Sequence, residues 1–65
     1  MQTLGERLRL QRMMKNMTQA ELAKELDIGT NSVNRYECDA RIPKTETLQR
    51  LADYYCVSIE ELKKE

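Results

Sequence analysis

The sequence predicts an all-α domain, a compact bundle of five short helices, on three observations. Boxes of the S/T-x-x-E type stand at Thr3–Glu6, Thr18–Glu21 and Ser58–Glu61, where a hydroxyl caps a helix start and the glutamate reaches back. Apolar residues recur behind these boxes at helical spacing, and no segment alternates as a strand does. Only two glycines and one proline interrupt the 65 residues. That length makes one domain, 1–65, near the lower limit for folding without disulfide or metal staples.

The elements follow in order. Helix one begins at the Thr3 cap and is expected to end near Asn16, with Leu4 and Leu8 on an inward stripe that continues through Gln11 or Lys15. Helix two starts from Thr18 and stops at Leu26. Asp27-Ile28-Gly29 is a turn, and helix three runs from about Thr30 to Cys38. The single proline makes Asp39-Ala40-Arg41-Ile42-Pro43-Lys44 a loop. Helix four spans about Thr45 to Tyr55, with Leu48, Leu51, Ala52 and Tyr55 on one face. The Ser58 box opens a short fifth helix, whose Glu60 and Glu61 suit the helix dipole.

Composition narrows the function. Lysines and arginines balance the acids at net charge zero, so the chain is not a generally basic nucleic-acid binder, and distribution must decide. Residues 1–44 carry eight basic against six acidic side chains, and residues 45–65 three against five. This asymmetry is compatible with one DNA-facing side. Histidine is absent, and Cys38 and Cys56 stand apart without a CxxC pattern, so a metal site is not expected and free thiols of a reducing cytosol are. No glycine-rich phosphate loop, no nucleophile with a base and no paired acids in an evident cleft point to an enzyme, a cofactor or a small-molecule substrate. Met1 is followed by no long apolar run, so neither a signal peptide nor a membrane span is expected and a cytoplasmic location is the default.

Residues 18–38 carry the functional signal. Two short helices meet across a tight turn, with Leu22, Ala23, Leu26, Ile28, Val33 and Tyr36 as apolar positions and small Ala23 where the helices cross. The second helix is otherwise polar and free to meet an external partner, the layout of a DNA-reading helix-turn-helix. Gln19, Ala23, Val33, Arg35 and Glu37 follow the spacing of the Cro/cI-type (lambda-repressor-like, Xre) family. The loop Arg41-Ile42-Pro43 resembles that family's R-x-P loop, and Thr47–Ala52 and Val57–Leu62 resemble its fourth and fifth helices. The resemblance covers nearly the whole chain.

It implies sequence-specific binding of double-stranded DNA by a transcriptional regulator, most simply a repressor, that inserts helix three in the major groove. It also implies a weak homodimer, strengthened on a two-fold-related operator, with Tyr55 to Leu62 as the candidate contact surface. Aligned residue by residue, it marks Thr30, Asn31, Asn34 and Arg35 for base contacts. Asn31 or Asn34 suits adenine N6/N7, Arg35 a guanine O6/N7 or a phosphate, and Thr30 a thymine methyl or simply the helix cap. Gln19, Ser32, Arg41 and Lys44 are expected on phosphates, Gly29 allows close approach at the helix entrance, and Arg9 and Lys15 are peripheral. Arg12 and Glu37 are expected to pair beneath the DNA-facing surface.

The chain also departs from the family. Asp27, Asp39 and Cys56 replace glycines that end helices or bend loops in a left-handed conformation, which predicts lowered stability, by roughly 1 kcal/mol at Cys56. Leu10, Met13 and Met14 lie on helix one away from Leu4 and Leu8. They are expected to pack against a neighbouring helix, with an exposed contact patch as the alternative. Two other function classes therefore stay open: a protein-interaction or antitoxin-type module that docks a partner on that patch, and a designed helix-turn-helix scaffold without a natural operator.

Overall fold

The computed structural model describes residues 2–63, in which five helices follow one another: α1 Leu4–Met14, α2 Gln19–Leu26, α3 Thr30–Glu37, α4 Thr45–Tyr55 and α5 Ile59–Lys63. Local chemistry starts three of them. The Thr3 and Thr18 hydroxyls accept from the Glu6 and Glu21 amides, and both glutamates return to the threonine N–H. Ser58 accepts from the Glu61 amide at 3.1 Å, while the Glu61 carboxylate reaches the Ser58 hydroxyl at 3.5 Å instead of its backbone.

Helices α1 to α4 all stop in the same way. Asn16, Asp27, Asp39 and Cys56 have φ of 56°, 55°, 60° and 58°, the left-handed region. The next amide in each case bonds back across five residues: Met17 to Arg12, Ile28 to Ala23, Ala40 to Arg35 and Val57 to Ala52. This is the Schellman pattern, accompanied by an apolar residue folded onto the core. Met17, Ile28 and Val57 supply that contact. The three expected glycine replacements thus adopt the glycine conformation, and Asn16 adds a fourth. Two boundaries differ from the sequence reading. α1 ends at Met14 and α3 at Glu37, because the terminal turn places Lys15 and Cys38 at the C-caps.

Leu8, Leu22, Ala23, Leu26, Val33, Leu48, Leu51, Ala52, Tyr55 and Leu62 form one buried core. α3 packs on α2 and on α1, while α5 joins α1 to α4. The closest approach is at Gly5. A Cβ there would stand 2.6 Å from the Glu37 carbonyl oxygen and 2.7 Å from that of Tyr36, so only glycine lets α1 lie against the end of α3. Asp39 secures the crossing, accepting from the Gly5 amide at 2.9 Å and from the Thr3 hydroxyl.

The expected packing of Leu10, Met13 and Met14 is corrected here. They are 43%, 54% and 67% exposed, because α1 turns its Gly5–Leu8 side to α3 and α5. The inward stripe of α1 also ends differently. Gln11 is half-buried and Lys15 is exposed, its ammonium 5.2 Å from the centre of the Tyr54 ring. Of the Tyr55–Leu62 segment, Tyr55 and Leu62 are core residues, leaving Cys56, Ser58, Glu60 and Glu61 exposed. No helix among the described residues is long and apolar enough to cross a membrane.

Candidate nucleic-acid interface

α3 has two faces. Val33 and Glu37 point into the protein, and Thr30, Asn31, Asn34 and Arg35 stand exposed on the other side. Their offsets of one, four and five residues along a 3.6-residue turn gather these four side chains on a single stripe. No acidic residue sits in the first turn of α3, and its N-cap makes no side-chain hydrogen bond, in contrast to α1 and α2. The positive end of the helix dipole is therefore left uncompensated, which suits a phosphate.

The N-cap is Gly29, so Thr30 is the first helical residue and does not cap. This removes the capping role from Thr30. Gly29 has φ −75° and ψ 147°, close to the dihedrals of the capping threonines, and a Cβ there would meet only the Ser32 hydroxyl, at 3.9 Å. The protein itself therefore imposes no glycine at this position. Ser32 is half-buried in the first turn. Arg41 and Lys44 are both exposed beyond α3. Arg41 lines a groove of about 430 Å³ with Thr3, Leu4, Tyr36, Asp39 and Ile42, and Lys44 is the N-cap residue of α4.

Beneath the stripe lies a polar chain that joins three helices. Arg12 donates from Nε to Glu37 Oε2 at 2.8 Å and from Nη2 to Oε1 at 3.1 Å, and its Nη1 bonds the Met17 carbonyl at 2.6 Å. This hydrogen bond to Glu37 holds the guanidinium above its usual pKa against the opposing effect of burial. Gln19 enters from α2, its Nε2 donating to Glu37 Oε1 at 3.2 Å and to Asn34 Oδ1 at 3.4 Å. Gln19 thus touches a member of the exposed stripe as well as the buried pair. Tyr55 is buried near this pair, and its phenol is pushed up from the usual value chiefly by burial and secondarily by Glu37.

Two contributors were missed by sequence reasoning. Arg50 reaches across from α4 to bond the Leu26 carbonyl, closing the end of α2 just before the turn. Gly5 sets the α1–α3 separation. Both act through partners distant in sequence, so no local pattern marks them. No grouping of acids and cysteines suited to a metal ion occurs among the described residues.

The chain is similar to known proteins in both sequence and fold. The chain is 43% identical over 60 residues to the HTH-type transcriptional regulator ImmR of Bacillus subtilis, covering 92% of this chain and 47% of that protein. It is 42% identical over 59 residues to the cryptic phage CTXphi transcriptional repressor RstR of Vibrio cholerae, covering 91% and 53%. The chain therefore spans about half the length of these relatives. Its fold superimposes on the P22 c2 repressor, solved in complex with a synthetic operator, with a TM-score of 0.92 and 28% identity over 98% of this chain and 97% of that one. The family model described as helix-turn-helix matches residues 8–62, and the chain belongs to that family, in its Cro/cI (Xre) type.

Proposed function

We propose that this protein binds double-stranded DNA sequence-specifically and regulates transcription, most simply as a repressor that blocks polymerase. The exposed stripe Thr30-Asn31-Asn34-Arg35, on a helix whose N-terminus carries neither a side-chain cap nor an acid, supports this reading most directly. These side chains read base edges in the major groove. Gln19, Gly29, Ser32, Arg41 and Lys44 hold the flanking phosphates and set the register. Two copies pair weakly and meet mainly on DNA, each with α3 in one half-site, about 34 Å apart on a two-fold-related operator. The protein acts in the cytoplasm, and nothing in its chemistry calls for catalysis.

Selection from a random duplex library at near-physiological salt tests the proposal. A two-fold-symmetric motif that is lost with Asn31→Ala or Arg35→Ala is the expected result. Folded protein that enriches nothing refutes it, as does weak binding to every sequence that vanishes with salt. The exposure of Leu10, Met13 and Met14 favours a second role for the same domain, docking of a protein partner on α1. Polar replacement of these three side chains then abolishes partner binding and leaves DNA affinity intact.

A further inference from the structure

The polar chain beneath α3 has a direction, and that direction reaches the surface at Asn34. Glu37, held by Arg12 from two nitrogens, offers only acceptors to its neighbours. Gln19 must therefore turn its amide nitrogen, not its oxygen, toward Glu37, and it does so at 3.2 Å. The second hydrogen of the same nitrogen faces Asn34, whose Oδ1 accepts it at 3.4 Å. Cys38, one turn further along α3, brings its thiol to the same oxygen at 3.5 Å. Both lone pairs of Asn34 Oδ1 thus face neighbouring side chains of the protein at its exposed surface. What remains outward is the Asn34 Nδ2 group, which carries donors only.

We propose that Gln19 and Cys38 orient the Asn34 amide so that Asn34 selects guanine over adenine; the inference rests on the DNA-binding reading above. Adenine shows the major groove an acceptor at N7 beside a donor at N6, and an asparagine reads both only if its oxygen and nitrogen are both free. Guanine shows two acceptors, N7 and O6, which suit an outward NH₂. Adenine recognition therefore falls to Asn31, and Gln19 becomes a positioning residue for base choice; with both Nε2 hydrogens engaged, its phosphate contact falls to its backbone N–H at the start of α2. Thr30, Asn31 and Arg35 make no side-chain hydrogen bond of this kind among the described residues.

The test is a base-resolved preference, read from selection with wild type, Asn34→Ala, Gln19→Ala and Asn34→Asp, each first shown to be folded by circular dichroism. Wild type is expected to favour guanine over adenine about ten-fold at the position that Asn34→Ala flattens. Gln19→Ala frees the amide to rotate, so the guanine-to-adenine ratio at that position falls several-fold, while the backbone N–H contact to phosphate and the preferences at the other positions are kept. Asn34→Asp keeps an acceptor for Gln19 and turns the outward group into an acceptor, so preference moves to cytosine, whose N4 donates. It also covers the case in which Gln19→Ala does not fold. An adenine at the Asn34-dependent position, an unchanged ratio in folded Gln19→Ala, or retained guanine preference in Asn34→Asp overturns the inference and leaves the DNA-binding reading standing. No motif from folded wild type overturns both.

Discussion

Replacing Gly5 by alanine tests whether the α1–α3 contact, and not helix propensity, decides the stability of this domain. The added methyl would lie 2.6 Å and 2.7 Å from two backbone carbonyl oxygens of α3 and 2.8 Å from Asp39 Oδ1. Asp39 can swing aside, but only by releasing the Gly5 amide and the Thr3 hydroxyl. The carbonyls belong to the backbone at the end of α3 and move only if the helices separate. Overpacking of this kind costs about 1–3 kcal/mol, with backbone clashes at the upper end. Alanine returns at most about 1 kcal/mol through its better helix propensity. The net loss is therefore about 2 kcal/mol, a fall in Tm of roughly 8–16 °C for a domain of this size. Urea unfolding followed by far-ultraviolet circular dichroism measures it. Gly5→Ala combined with Asp39→Ala separates the contacts: the clash penalty must persist there, because the carbonyls remain. A Gly5→Ala protein as stable as the parent, or more so, refutes the reasoning, since propensity would then outweigh a contact that the geometry says cannot relax.

Other perturbations follow from the same structure. Arg12→Ala leaves Glu37 buried without its partner and costs about 3–5 kcal/mol, enough to remove the cooperative thermal transition of so small a domain, whereas Arg12→Met with Glu37→Leu costs less than Arg12→Ala alone. Cys56→Gly relieves a left-handed residue whose side chain is exposed and raises stability by about 1 kcal/mol in urea unfolding, while Asp39→Gly, at nearly the same φ, lowers it by removing the bonds to Gly5 and Thr3. Tyr55 has a buried hydroxyl without a partner among the described residues and a pKa raised by burial. The folded state therefore keeps the phenol proton that the unfolded chain loses, so stability is full below about pH 10 and falls as pH rises beyond it. Tyr55→Phe is expected to be as stable as wild type at neutral pH and to show a smaller alkaline loss, read from thermal melts at pH 8 and 11. Gly29→Ser supplies the missing cap and raises stability by a few tenths of a kcal/mol, and if Gly29 lies on a phosphate it weakens DNA binding in the same titration.

Helix starts were legible in the sequence because the capping box is a local device: a hydroxyl and a carboxylate three residues apart bond to backbone amides already within reach. Helix ends were legible at Asp27, Asp39 and Cys56 through the glycines they replace. Asn16 adopts the same conformation without that clue, although the apolar Met17 after it repeats the arrangement of Ile28 and Val57. Gly5, Arg50 and the Gln19–Asn34 bond were not legible, since each owes its role to an atom 15 to 34 residues away. Leu10, Met13 and Met14 were assigned to packing because methionine and leucine usually find it. A helix of 11 residues in a bundle this small has only one side covered, and that side is fixed by Gly5.

The arrangement couples stability to recognition through one path. Arg12 lies on α1, Gln19 on α2, and Glu37 and Asn34 on α3, so the three helices that define the docking surface share a single set of hydrogen bonds. A domain near the lower size limit has little core to spare for rigidity. A charged pair that is costly to break therefore does two things at once: it holds the angle between α1 and α3, and it sets which atom of Gln19 faces outward to Asn34. A hydrophobic replacement of Arg12 and Glu37 could preserve the first effect but not the second, because apolar side chains impose no orientation on a neighbouring amide. Combining Arg12→Met with Glu37→Leu should thus yield a folded protein that has lost base discrimination at the Asn34 position in particular, keeping its preferences where Asn31 and Arg35 read alone.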